Sequence, residues 1–175
     1  MDIKTLLARA SSGLGKHTEY KSPGVLPHFA ATSLPDHGKL DCSGFIYWCL
    51  RFESHPPESR IVSHPLYKKI NGGWFETTAI YADGLQSTGF FSEVEPKVGA
   101  MLVYADYRGS DGRNHDGHIG VISEIDATKS GIDRVTKIIH CSLGGWKTHQ
   151  DAVQETAPDP WRKHPSICVW YDGLN

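Results

Sequence analysis

The stretch KLDCSGFIYWCL, residues 39–50, places a cysteine directly in front of an apolar run with helical spacing. A cysteine in the first turn of a helix is either a small core residue or a nucleophile whose anion is stabilised by free backbone N–H groups. Asp41 is a good N-cap, able to accept from the N–H groups of Ser43 or Gly44. Cys42, Phe45, Ile46, Cys49 and Leu50 follow the i, i+3, i+4, i+7, i+8 pattern, so the Cys42 sulfur heads the core-facing stripe. With a cationic partner, such a position lowers a thiol pKa from about 8.5 to between about 3.5 and 7.5. Gly44 costs about 1 kcal/mol in a helix relative to Ala, which is understandable where a backbone or a substrate must come close. Cys49, Cys141 and Cys168 lie inside apolar runs and read as structural.

A nucleophile needs a base, and the chain has ten histidines. Most sit among prolines, glycines and charges. His118 and His140 stand at the ends of strand-like segments. If residues 118–124 and 134–140 form an antiparallel hairpin, a symmetric register pairs Glu124 with Arg134, Ile122 with Thr136 and Gly120 with Ile138. His118 then lies opposite His140, with Cβ atoms about 4.5–5.5 Å apart. The expectation is a nucleophile, a base and an orienting residue from Cys42, His118 and His140, the cysteine helix landing on the face that carries the histidines. A zinc site from the same three residues ranks below this reading, because close ligand spacing is missing and a metal leaves the helix-cap position of Cys42 unexplained.

The elements that must position these residues follow from periodicity and breakers. Helices are expected over 2–10, 42–52 and 74–85, and strands over 100–105, 118–125, 135–141 and 166–171, with 11–40 long and irregular. Pro56, Pro57 and Pro65 break the segment 56–65. Helices first and strands after argue for an α+β fold, and 175 residues suit a single domain spanning 1–175. A net charge of -2 without a basic run gives no electrostatic case for nucleic acid. No apolar stretch is long enough to span a membrane, and the N-terminus reads as an amphipathic helix rather than a secretory signal. Four cysteines at this length make no disulfide scaffold, and Cys42 and Cys49, about 10 Å apart along one helix, cannot bridge. ASSGLGKH around Lys16 departs from a phosphate loop at Ala10 and His17, and DYRGSDGRNHDG around Asp111 has the wrong spacing for a calcium loop, so both read as polar turns.

Four segments in order, LDCSGFI (40–46), PKVGAMLVY (96–104), GHIGVIS (117–123) and IIHCSLGG (138–145), resemble the NlpC-type cell-wall peptidases, papain-like cysteine enzymes that cut the peptide stems of bacterial peptidoglycan. The resemblance covers most of residues 40–145. It implies a papain-like fold with N-terminal helices, the nucleophile helix packed on a C-terminal antiparallel sheet, and one catalytic domain. It implies Cys42 as nucleophile, His118 as base and acid, and His140 as orienter, with no metal or other cofactor. The N–H groups of Cys42 and Ser43 would stabilise the oxyanion, and Asp41, Ser43 and Gly44 would border the substrate. Tyr20 is the nearest counterpart of a tyrosine that borders the site in that family. Trp48, Trp74, Tyr104 and Trp146 are aromatic candidates for a groove.

The implied reaction is hydrolysis of an amide in a stem peptide, of the kind that joins γ-linked D-glutamate to a diamino acid. The implied place of action is the periplasm or cell wall. The chain shows no leader or wall-binding repeat, which favours a toxin delivered into a rival cell over a phage lysis enzyme or a trimmed housekeeping enzyme. An immunity protein is then an expected partner. Two alternatives stay open: a non-catalytic peptide-binding module on the same fold, and a cysteine amidase or acyltransferase acting on another substrate.

Overall fold

A computed structural model describes residues 1–21, 33–51, 65–71, 76–87 and 89–175. Pro56, Pro57 and Trp74 lie outside the described residues. The helices are α1 (Ile3–Ser12), α2 (Cys42–Cys49), α3 (Pro65–Asn71), α4 (Thr77–Gln86), α5 (Leu143–His149) and α6 (Asp159–Arg162). The strands are β1 (Glu19–Tyr20), β2 (Lys39–Leu40), β3 (Phe91–Glu93), β4 (Met101–Tyr104), β5 (Tyr107–Arg108), β6 (Asn114–His115), β7 (His118–Ile125), β8 (Val135–Cys141), β9 (Val153–Thr156) and β10 (Ile167–Tyr171). The fold is α+β. No helix among the described residues is long and apolar enough to cross a membrane.

Six strands form one sheet in the order β3-β10-β4-β7-β8-β9, each neighbouring pair antiparallel. The alternation of side chains divides its core in two. Val103, Ile119, Val121, Ile139, Cys141 and Val169 point to the side that holds α1, α2 and α4, with Leu6, Ala10, Phe45, Ile46 and Ile80. Leu102, Ile122, Ile138 and Cys168 point to the other side, which Trp161 of α6 covers. Helices and strands alternate after Cys141, so the order of helices first and strands after does not extend to the end of the chain. The C-terminal strand inserts between β3 and β4 instead of lying at an edge.

The β7–β8 hairpin forms, but two residues out of the expected register. Gly120 faces His140, Val121 faces Ile139 and Ile122 faces Ile138, with irregularities around Glu124. Arg134 belongs to a 3-10 turn, and Glu124 pairs with Lys137 at 3.0 Å instead. A shift of one residue would reverse every side chain, whereas a shift of two keeps the faces. His118 and His140 therefore still share a face, as diagonal neighbours. That face is the Trp161 side, so the cysteine helix packs on the opposite face from the one expected.

Helix α2 is shorter than the 42–52 span, ending at Cys49 with Leu50 as its C-cap. The buried Arg9 of α1 closes that end, donating to the carbonyls of Trp48 at 2.7 Å and Cys49 at 3.2 Å while lying over the Trp48 ring. A cation here suits the negative end of the helix dipole. Trp48 is a core residue, 1% exposed, and lines no groove. Apolar residues surround the short helix on nearly all sides, so it is held on every face.

Candidate active site

Asp41 caps α2 as its sequence position requires: its carboxylate accepts from Gly44 N–H at 2.6 Å and from the Ser43 hydroxyl at 3.2 Å. The Gly44 and Phe45 N–H groups are thereby taken by Asp41, through its side chain and its carbonyl respectively. The N–H groups of Cys42 and Ser43 lie at the same helix start and favour the anionic form of the sulfur. As the first two of the helix they have no intrahelical acceptor.

The parallel pairing of β1 with β2 sets Tyr20 beside Leu40, two residues before the cysteine. The Tyr20 hydroxyl comes within 4.0 Å of Cys42 Sγ. Sγ in turn lies 3.9 Å from the carbonyl oxygen of Gly117, the residue immediately before His118. Cys42 thus meets the end of β7 from the helix side, while His118 leaves the same strand end on the other side. Among the described residues no hydrogen bond joins Cys42 to His118.

Gly117 is itself fixed. Its N–H donates to Asp106 at 2.6 Å, and Asp106 is held in turn by the Thr77 and Thr78 hydroxyls at the start of α4. From His118 a line of polar contacts runs across the sheet. His118 Nε2 is 2.7 Å from His140 Nδ1, and His140 Nε2 is 3.0 Å from Thr156 Oγ1. The Thr156 hydroxyl lies 3.0 Å from the carbonyl of Ala157. Trp161 closes one side of the pair, its ring 5.0 Å from that of His118 and 5.2 Å from that of His140. The Tyr104 ring lies 6.2 Å from that of His118 and, tilted by 31°, 4.4 Å from that of His164.

Burial dominates the electrostatics. It pulls His118 down to about 3, assisted by the charge of His140, and His140 down to about 4. Both rings are neutral at pH 7. Burial pushes the Cys42 thiol up to about 12, with the Asp41 carboxylate adding to the rise. The Tyr20 hydroxyl and the N–H groups of Ser43 and Cys42 pull the other way and lose. The expected lowering of this thiol pKa therefore does not occur in the free protein. It needed a cationic partner; the nearest histidine is uncharged, and Arg9 sits at the far end of the helix.

Cys42, Tyr20, Asp41, Ser43 and Gly44 thus gather at the start of α2, next to Gly117 and His118, and His140 adjoins His118. Trp146 of α5 packs on the same apolar cluster as Tyr20 and Cys42. Its helix lies against β1 and β9, and its ring makes no contact with either histidine among the described residues. Thr156, Trp161 and Asp106 were not legible in the sequence. Each comes from a short element or turn whose neighbours are set by strands distant in the chain. The one local sign was Pro160, a proline in the first turn of the short helix that carries Trp161. No three of His, Cys, Asp and Glu among the described residues stand close enough to hold a metal ion. No protein-family model matches the chain, and no curated protein matches it.

Proposed function

We propose that this chain is a papain-like cysteine hydrolase of amide bonds, acting on the peptide stems of peptidoglycan. The observation that carries the proposal is one continuous arrangement. A buried cysteine at a capped helix start abuts the residue before His118, and His118 turns one nitrogen to His140 while its Nδ1 has no partner among the described residues. The substrate class comes from the resemblance of the LDCSG, GHIGV and IIHCS segments to cell-wall peptidases.

The neutral starting state sets the order of events. Cys42 Sγ attacks the amide carbon as its proton moves to His118 Nδ1, so no free thiolate has to persist in the buried site. The carbonyl oxygen gains the electron pair, and the N–H groups of Cys42 and Ser43 are placed to stabilise it. His118, now an imidazolium, gives its proton to the leaving nitrogen as the C–N bond breaks. Water attacks the resulting thioester with His118 again as base, releasing the acid and the thiol. His140 holds the His118 ring in place throughout, and Trp161 keeps water from the pair.

The test is digestion of isolated peptidoglycan with the protein and with Cys42→Ala, the released fragments being identified by mass. Cleavage abolished by the substitution supports the proposal and identifies the bond. Equal cleavage by both proteins removes Cys42 from the nucleophile role, and binding without cleavage by either favours a non-catalytic module.

A further inference from the structure

We infer that Thr156 is a positioning residue that determines which nitrogen of His118 carries its proton. The inference builds on the reading of His118 as the base, but its geometry stands apart from any substrate.

The argument starts at the far end of the polar line. The Ala157 carbonyl can only accept, so its 3.0 Å contact with Thr156 Oγ1 is a hydrogen bond with the hydroxyl donating. A hydroxyl has one proton. Once that proton is given to Ala157, Oγ1 can only accept from His140 Nε2, 3.0 Å away. A neutral imidazole carries one N–H, so His140 Nδ1 is then bare. It accepts from His118 Nε2–H across 2.7 Å. His118 is left with its lone pair on Nδ1, the nitrogen available to a thiol.

The chain of donors also suits the charged intermediate. When His118 takes a second proton on Nδ1, its Nε2–H already points at an acceptor, and nothing behind it has to turn. The reverse polarity has the opposite consequence. If Thr156 gave its proton to His140 Nε2, the Ala157 carbonyl would lose its donor and His140 Nδ1–H would point at His118 Nε2. His118 would hold its own proton on Nδ1 and could not act as a base there. Burial keeps both rings neutral, so each carries a single proton whose location matters. Thr156 reaches this position because it pairs with Ile138 in the β8–β9 ladder, making it the diagonal neighbour of His140 on the Trp161 face.

The experiment uses the full chain labelled with ¹⁵N-histidine at pH 7. Long-range ¹H–¹⁵N spectra report which nitrogen of each ring is protonated, with assignment from His118→Gln and His140→Gln. Both rings are expected as Nε2–H in the unaltered protein and in Thr156→Ser, which keeps the hydroxyl. Thr156→Val and Thr156→Ala should move proton occupancy on both rings towards Nδ1. A wild-type His118 protonated on Nδ1 overturns the inference even if neither hydroxyl-free variant folds. Spectra of Thr156→Val that match the wild type overturn it as well. On an amide substrate, Thr156→Val should lower kcat about tenfold or more with KM little changed, within the 10²–10⁴-fold that a general base contributes, and Thr156→Ser should restore it. Loss of the hydrolase reading would show as an inactive wild type whose histidine spectra still respond to Thr156, so the two failures are distinguishable.

Discussion

His118 and His140 meet on a diagonal, Nε2 to Nδ1 at 2.7 Å, because the residue directly opposite His140 is Gly120. A Cβ built on Gly120 would stand 2.9 Å from the His140 Cβ and would also collide with Ile138. The missing side chain is what lets the His140 ring lie across the strand and reach its partner.

Gly120→Ala should therefore push His140 out of line. Overpacking of this kind costs about 1–3 kcal/mol. The expected result is a lower urea midpoint together with loss of the His118–His140 contact, seen as a change in both imidazole resonances. A variant as stable as the parent with unchanged resonances would show that β8 has room to yield.

Asp41 has two separable roles. Its carboxylate caps α2, and its charge raises the Cys42 pKa. Asp41→Asn keeps a good cap and removes the charge, so stability should be nearly unchanged while the Cys42 pKa falls. Alkylation of Cys42 by iodoacetamide at pH 8 should then be faster than in the parent. Asp41→Ala loses the cap as well and should cost about 0.5–2 kcal/mol in urea unfolding. Slower alkylation in Asp41→Asn would reverse the assigned sign of the charge effect.

Acid should destabilise the fold through the histidine pair. In the unfolded chain each imidazole takes a proton near pH 6.5, whereas in the folded protein His140 waits until about 4 and His118 until about 3. The unfolded state thus binds more protons between these values, and stability falls as pH falls through that window. Ordinary carboxylates titrate at about pH 4, in the lower part of that window, so the change from pH 7.5 to 5.5 reports mainly on the histidines. The Tm should decline between pH 7.5 and 5.5, and His118→Gln/His140→Gln should flatten the decline. Equal slopes in both proteins would contradict the neutral buried pair.

Arg9→Met should weaken the whole Cys42 helix from its far end. The change removes the guanidinium donor from the buried Cys49 carbonyl, while that of Trp48 keeps the Arg51 N–H at 3.1 Å; an acceptor left unsatisfied costs about 1–3 kcal/mol. The measurement is the urea midpoint, with Cys42 alkylation as a local probe. A midpoint equal to that of the parent would mean that water replaces the guanidinium.

Much of the site was legible because its signals are local. An aspartate before a helical apolar run makes an N-cap wherever the chain goes, so the position of Cys42 at the head of α2 follows from a few neighbouring residues. The strand period of two puts His118 and Gly120 on one face and His140 and Ile138 on one face, and that parity survived the even shift in register. By contrast, α5 was missed because Gly144 and Gly145 weigh against a helix, although Ser142 caps it through Gly145 N–H at 3.0 Å. The short β9 offers too few residues for a period to register.

The amino-acid sequence by itself determined the residue types, the capped helix start and the faces of the two histidine strands, since these depend on backbone geometry over a few residues. Only the tertiary structure decided that α2 packs against the opposite face from the histidines, that β10 inserts between β3 and β4, and that Thr156 and Trp161 complete the surroundings of the pair. It also decided the protonation states. A thiol at a helix start has a lowered pKa only if it keeps a cationic partner and access to solvent, and how deeply Cys42 and His118 are buried depends on segments far apart in the chain.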